Sequence, residues 1–264
     1  MKNSVKTFII VGVLLIAILG ASFHYIKNQK IYLLVIPHFM IDSWKVSEFY
    51  NLTKEKYFWE NELPNRIVLL SPNHFFTKQK KIEGTCKKEN IQYKNYSIAA
   101  LPSDMNDIEC SWWVFYDIWN QRYTKDHGLW EHFKWLNKYY SWVKVIPLAL
   151  PSHQMNHSKE IVQWIKTLPW KTLVISSVDF SHYKSEEIAE KNDEITYSTL
   201  NSTWRFDELR WLDVDCPACL GVNYLLAEDY NLKIQQRYRD SSSTIVGYDL
   251  VEENTSRQFL FWEN

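Results

Sequence analysis

Four largely apolar runs, separated by segments with helical spacing, constrain the fold of this chain more than any other feature. The runs lie at Ile31–Ile36, Arg66–Leu70, Val143–Leu150 and in TLVISS, which begins at Thr172. The helical segments lie around residues 44–60, 127–142 and 156–168. Strands that alternate with helices are typical of a parallel or mixed sheet with helices on both faces. We therefore predict an α/β fold, closed by antiparallel strands near the C-terminus.

An uncharged N-terminal segment precedes the predicted sheet. Residues 7–26 carry no charged side chain, and lysines flank the segment on both sides. This length is sufficient for a helix that spans a bilayer. A cleaved signal peptide is the alternative, because the small residues in ILGAS resemble a weak cleavage site. We predict a membrane anchor in residues 1–30, a single domain in residues 31–264, and an extracytoplasmic location for that domain.

Charge and cysteine content limit the classes of partner. The 264 residues include 30 basic and 31 acidic side chains, so the formal net charge is −1 and no basic nucleic-acid surface is expected. Cys86 and Cys110 lie in the same region of the chain. In an oxidising compartment they would form a disulfide, and otherwise they would be two free thiols.

Histidine or aspartate side chains follow three of the predicted strands. His38 follows the first, His74 follows the second, and Asp179 with His182 follows the fourth. If the strands are parallel neighbours, these side chains converge on one edge of the sheet, where ligands of α/β proteins bind. Imidazole and carboxylate groups are common metal ligands and acid–base groups. We therefore predict a shared site at this edge.

The segment DVDCPACLG supplies a further candidate. Pro217 suits the first turn of a helix, which places Cys216 at or near the N-cap. A thiol at that position has a lowered pKa and becomes a better ligand or nucleophile. Cys219 lies one turn further on, and a buried apolar role is the simpler interpretation for it.

Six segments together resemble a known family. IPH, LLSPNH, DHGLWEHFKWL, VKVIPLAL, SSVDFSHY and DCPACLGV occur in the order seen in Memo-like proteins, also called AmmeMemoRadiSam system protein B. This family is similar in fold to class III extradiol dioxygenases. The resemblance implies a three-layer α/β/α domain with a cleft that holds non-haem iron or copper, zinc being less expected. It implies His38, His74 and Cys216 as metal ligands, with Asp179, His182 and His127 beside them in the cleft.

Three functions are compatible with these residues. The first is a metal-dependent redox enzyme that acts on a small aromatic or quinol-like molecule, with Asp179 or His182 as acid–base groups. The second is a metal-dependent hydrolase that uses metal-bound water. The third is a non-catalytic protein that holds a metal or a peptide in the cleft. The chain has no Gly-rich phosphate loop, which makes a nucleotide enzyme a poor fit.

Overall fold

The structure is a computed structural model. It describes residues 29–39, 43–58, 63–72, 74, 91–93, 96–98, 114–115, 127–141, 143–150, 152–168, 171–203, 205–250 and 253–263. The predicted anchor helix, Cys86 and Cys110 lie outside these residues. Within the described ranges, no helix combines the length and the apolar character that crossing a bilayer requires.

One mixed sheet organises the described part of the chain. Its strands are β1 (Lys30–Ile36), β2 (Arg66–Pro72), β3 (Ile91–Tyr93), β4 (Tyr96–Ile98), β5 (Val114–Phe115), β6 (Lys144–Leu150), β7 (Lys171–Ser177), β8 (Lys233–Ser241) and β9 (Ser256–Glu263). The strand order is β3-β4-β6-β2-β7-β1-β9-β8, and β5 pairs with β6. The predicted α/β fold class is confirmed.

The four central strands, β6, β2, β7 and β1, are parallel. Strand β7 lies between β1 and β2, so Ser177 is in register with Ile36 and Ser176 with Leu70. Their nearly continuous apolar character fits strands that are buried on both faces. The carboxyl ends of β1, β2 and β7 therefore lie side by side.

Helices cover both faces of this sheet. They are α1 (Ser43–Tyr57), α2 (His127–Tyr139), α3 (Met155–Thr167), α4 (Glu186–Leu200), α5 (Pro217–Tyr230) and the short α6 (Ser242–Val246), with a 3-10 helix at Phe206–Trp211. Leu33 and Val35 of β1 pack in one core with α3 and α5. Leu34 and Ile36 pack in the other core with α1 and α2. This division follows from the alternation of side chains along a strand.

Two adjacent serines at the end of β7 connect the sheet to helices on opposite faces. The Ser176 hydroxyl lies 3.0 Å from the Cys219 carbonyl oxygen of α5 and 3.1 Å from Asn223 Oδ1. Ser177 Oγ instead contacts α2, where it donates to the Gly128 carbonyl at 2.6 Å. Both side chains are fully buried, so their hydrogen bonds satisfy groups that water cannot reach.

A buried ion pair ties the antiparallel edge of the sheet to the loop after β1. The Arg257 guanidinium of β9 donates to both carboxylate oxygens of Asp240 on β8, at 2.6 and 2.5 Å. Arg257 is fully buried, and its Nη1 also donates to the Phe39 carbonyl at 3.1 Å. Strand β9 therefore helps to position the residue next to His38.

Candidate metal centre

Three histidines come together at the carboxyl edge of the parallel strands. His38 follows β1, His74 follows β2, and His127 is the first residue of α2. The ring centroids lie 5.0 Å apart for His38–His74, 5.0 Å for His38–His127 and 4.0 Å for His74–His127. One nitrogen from each ring lies within 4.8 Å of the other two. His38 is buried and His127 is exposed, so the cluster runs from the interior to the surface.

Two carboxylates meet the buried histidine of this cluster. His38 Nε2 lies 3.1 Å from Asp215 Oδ2 and 3.4 Å from Asp179 Oδ2. The three ligand atoms of this second group also lie within 4.8 Å of one another. His38 thus belongs both to a three-histidine group and to a histidine–carboxylate group.

The backbone uses one oxygen of each carboxylate and leaves the other facing His38. Asp179 Oδ1 accepts hydrogen bonds from the backbone N–H groups of His38 and Phe39, at 3.0 and 3.1 Å. Asp215 Oδ1 accepts from the Asp179 N–H at 3.2 Å, and the Asp215 N–H donates to the Asp179 carbonyl at 3.1 Å. These bonds fix the loops that follow β1 and β7.

The remaining oxygen of Asp215 is buried, and among the described residues its polar contact is the one with His38 Nε2 at 3.1 Å. Burial raises the pKa of Asp215, and the charge of Asp179 raises it further, whereas His38 and His182 act in the opposite direction. A buried carboxylate oxygen that lacks a donor is costly. A cation between the carboxylates and the imidazole would remove this cost.

A second buried histidine lies behind His38. His132 Nε2 lies 3.0 Å from Ser177 Oγ, which also lies 3.0 Å from His38 Nδ1. On its other side, His132 Nδ1 lies 2.8 Å from the Tyr50 hydroxyl. Desolvation by burial, followed by the charges of His38 and Lys134, lowers the pKa of His132 to about 3. His132 is therefore a neutral hydrogen-bonding group at physiological pH.

The lowered pKa of His132 predicts acid sensitivity. An unfolded chain binds a proton at this site below the ordinary pKa of 6.5, whereas the folded chain does so only near 3. The free energy of unfolding should therefore fall by up to about 1.4 kcal/mol per pH unit as the pH decreases from 6.5. Replacing His132 with Gln should flatten this dependence in denaturant titrations between pH 7 and pH 4.

His153, which is exposed just before α3, provides the control for this measurement. Its replacement with Gln should leave the pH dependence as in the wild type. An equally steep fall of stability in the His132→Gln protein would contradict the assignment of the acid sensitivity to His132.

The structure gives Cys216 a different bonding state from that of the predicted metal ligand. Its sulfur is bonded to that of Cys219 in the first turn of α5, with the Cα atoms 5.3 Å apart. The N-cap and third helical positions bring these side chains together within the usual range for disulfides. A sulfur in a disulfide is not a thiolate, so Cys216 is no metal ligand in this form. His127, predicted as a catalytic neighbour, completes the histidine group instead.

The other predicted residues lie near this centre. Asp179 contacts His38 directly, as described above. His182 is half-buried, lies 3.2 Å from Thr255 Oγ1 through Nδ1, and belongs to neither group of ligand atoms.

Three residues of the centre were missed in the sequence, namely Asp215, His132 and Ser177. All three lie in segments that the sequence analysis singled out, namely DVDCPACLG for Asp215, SSVDFSHY for Ser177 and DHGLWEHFKWL for His132. Within these segments, nothing in the residue types marked the three side chains as neighbours of His38.

Two comparisons with known proteins agree on one family. The model of the family described as Memo-like protein matches residues 15–212, which is more than half of the chain. A MEMO1 family protein of Pyrobaculum aerophilum is 21% identical over 146 residues, which cover 52% of this chain and 49% of that protein. The match thus spans about half the length of this relative. From the extent of the family match, the chain belongs to the Memo-like protein family.

Proposed function

We propose that this protein is a non-haem metal-dependent redox enzyme that acts on a small molecule, with the metal held at His38. The observation that carries the proposal is the position of His38 Nε2, which faces two carboxylates while the ring contacts two further histidines. Such a concentration of imidazole and carboxylate donors at the carboxyl ends of parallel strands is typical of a metal site.

Imidazole and carboxylate donors are found in non-haem iron sites, where a small number of protein ligands leaves open positions for other ligands. His38 would hold the ion either with His74 and His127 or with Asp179 and Asp215, the two groups whose ligand atoms lie within 4.8 Å of one another. The position of Asp215 Oδ2 supports this fit, because this buried oxygen lies 3.1 Å from His38 Nε2, where a metal ion could bind to both atoms. Copper is the alternative, since imidazole also suits it.

The surrounding residues would bind and orient the reactants. Bound iron would supply one-electron and oxygen chemistry. Asp179 holds the backbone of His38 and Phe39, so its main role is to position His38. His74 and His127 lie on the more exposed side of the cluster, where a small aromatic or quinol-like substrate would approach. His182 would exchange protons with that substrate, because it lies beside the cluster without belonging to it.

We also propose that residues 1–30 anchor the domain on the extracytoplasmic side of a membrane. The uncharged residues 7–26 support the anchor. The Cys216–Cys219 disulfide supports an oxidising compartment, where such bonds persist.

Metal reconstitution tests the proposed activity. The full chain, stripped of metal and titrated with Fe(II) without oxygen, should bind about one ion per chain. The loaded protein should then consume oxygen in the presence of catechols or hydroquinones, whereas zinc-loaded protein should not. His153→Ala should behave as the wild type, since this residue lies outside the cluster.

Two results would reject the redox proposal. Ester or amide hydrolysis by the zinc-loaded protein, without oxygen uptake by the iron-loaded protein, would establish the hydrolase. If the folded protein binds neither iron, copper nor zinc, the remaining function is that of a non-catalytic binding protein.

A further inference from the structure

Ser177 makes three polar contacts at the base of the metal centre. Its Oγ lies 2.6 Å from the Gly128 carbonyl oxygen, 3.0 Å from His38 Nδ1 and 3.0 Å from His132 Nε2. The side chain is fully buried, so water does not substitute for any of these partners. Three elements, namely β7, α2 and the loop after β1, meet at this single oxygen.

The hydrogen atoms in this cluster have only one consistent arrangement. A carbonyl oxygen cannot donate, so the contact with Gly128 requires the single hydrogen of the Ser177 hydroxyl. Ser177 Oγ therefore has only lone pairs to offer to the two rings. Both His38 Nδ1 and His132 Nε2 must then carry a hydrogen and donate it to this oxygen.

This arrangement determines the roles of the other two ring nitrogens. In neutral His38, the hydrogen is on Nδ1, and the lone pair is on Nε2, the atom that faces Asp215 and Asp179 at 3.1 and 3.4 Å. In His132, Nδ1 becomes the acceptor for the Tyr50 hydroxyl at 2.8 Å. The pKa of His132, lowered to about 3 by burial, agrees with a neutral ring that carries one hydrogen.

We propose that Ser177 is the positioning residue of this centre: it holds the ring of His38 through a hydrogen on Nδ1 and so leaves Nε2, the nitrogen on the side of the carboxylates, to bind a metal ion. The role of Ser177 in metal binding rests on the proposed function, whereas the assignment of the hydrogen bonds rests on the distances alone. Histidine ligands of metals usually donate their second ring N–H to a fixed acceptor, which orients the ring. Here that acceptor is a serine hydroxyl.

Ser177 also connects His38 to another histidine of the cluster. The Gly128 carbonyl that accepts its hydrogen belongs to the residue directly after His127 in α2. A single hydroxyl thus fixes the ring of His38 and the start of the helix that carries His127. Loss of this hydroxyl should disturb both sides of the centre at once.

Nitrogen NMR of the metal-free full chain tests the tautomer directly. With ¹⁵N-labelled histidine, at a pH at which the His38 ring carries a single hydrogen, that hydrogen should be on Nδ1 and Nε2 should be unprotonated. Its signals are assigned by their loss in His38→Gln. In Ser177→Ala, this preference for Nδ1–H should weaken or reverse, and in Ser177→Thr, which keeps a hydroxyl, it should return.

Ser176→Ala is the matched control, because the neighbouring serine is equally buried but bonds to α5 on the opposite face. It should leave the His38 tautomer unchanged. An Nδ1 that carries no hydrogen in the wild type would overturn the inference. So would a Ser177→Ala protein, folded by circular dichroism, in which the tautomer is unaltered.

Anaerobic titration with Fe(II) tests the purpose of the arrangement. Affinity should fall about 10- to 100-fold in Ser177→Ala, the range for residues that orient metal ligands. Ser176→Ala should bind iron as the wild type does. Unchanged affinity in Ser177→Ala would overturn the positioning role. If the wild type binds no metal but shows the expected tautomer and its dependence on Ser177, the proposed function fails and the hydrogen-bond assignment stands.

Discussion

Replacing His38 with Gln should lower the affinity for Fe(II) by more than about 100-fold, beyond the loss expected for any residue that only orients a ligand. The reason is that His38 belongs to both groups of potential ligands, so its replacement removes the residue that they share. Equilibrium titration under nitrogen measures the effect. Loss of a single outer histidine, as in His127→Gln, should weaken binding less, because His74 lies at a similar distance from His38.

The result is interpretable only if the variant is folded, and the packing of His38 favours this. The side chain is buried, but its neighbours at the end of β1 are the polar groups of Ser177, Asp179 and Asp215, with which a Gln amide can also form hydrogen bonds. Far-ultraviolet circular dichroism and thermal unfolding should therefore remain close to those of His153→Gln. Wild-type iron affinity in a folded His38→Gln protein would contradict the assignment of this centre.

Replacing Asp240 with Ala should lower the free energy of unfolding by about 3–5 kcal/mol, because it leaves the Arg257 guanidinium buried without its counter-ion. Both residues are almost completely buried, and both carboxylate oxygens accept from Arg257. Denaturant titration of the full chain, followed by tryptophan fluorescence, measures the loss. Iron affinity should also fall, because Arg257 donates to the carbonyl of Phe39, next to His38.

A surface ion pair of the same chemistry provides the control. Arg210 and Asp207 are separated by 3.2 Å in the 3-10 helix, and both side chains are largely exposed. Asp207→Ala should cost less than about 1 kcal/mol, as is usual for exposed pairs. Replacing both Asp240 and Arg257 with apolar residues should recover part of the loss, since no charge is then left buried. Equal costs for Asp240→Ala and Asp207→Ala would contradict the importance of burial.

The central strands were predictable because their apolar runs reflect burial on both faces, and the residues after them then fell on one edge. His38, His74 and Asp179 were accessible to this reasoning. Asp215 was not, because its role depends on the loop before α5 returning to the end of β7, where its N–H donates to the Asp179 carbonyl and its Oδ1 accepts from the Asp179 N–H. A contact of this kind between distant segments leaves no periodic pattern in the sequence.

The bonding state of Cys216 could not be predicted for a different reason. The spacing of Cys216 and Cys219 is compatible with a thiolate at a helix N-cap and with a disulfide across one turn. The choice depends on the redox state, which the residue types alone do not determine. The role of His132 could not be predicted for a third reason: it depends on hydrogen bonds with Tyr50 and Ser177, which come from separate elements.

The adjacent serines at the end of β7 also bear on how the sheet assembles. A strand that slips by one residue turns each of its side chains to the opposite face. The apolar residues of β7 are similar in kind on both faces, so they oppose such a slip only weakly. The serines are not interchangeable: a slip would withdraw Ser177 from the Gly128 carbonyl and Ser176 from Asn223, leaving buried groups unsatisfied in both layers. Misaligned pairing of the central strands is thereby penalised at the edge of the sheet where the histidine cluster lies.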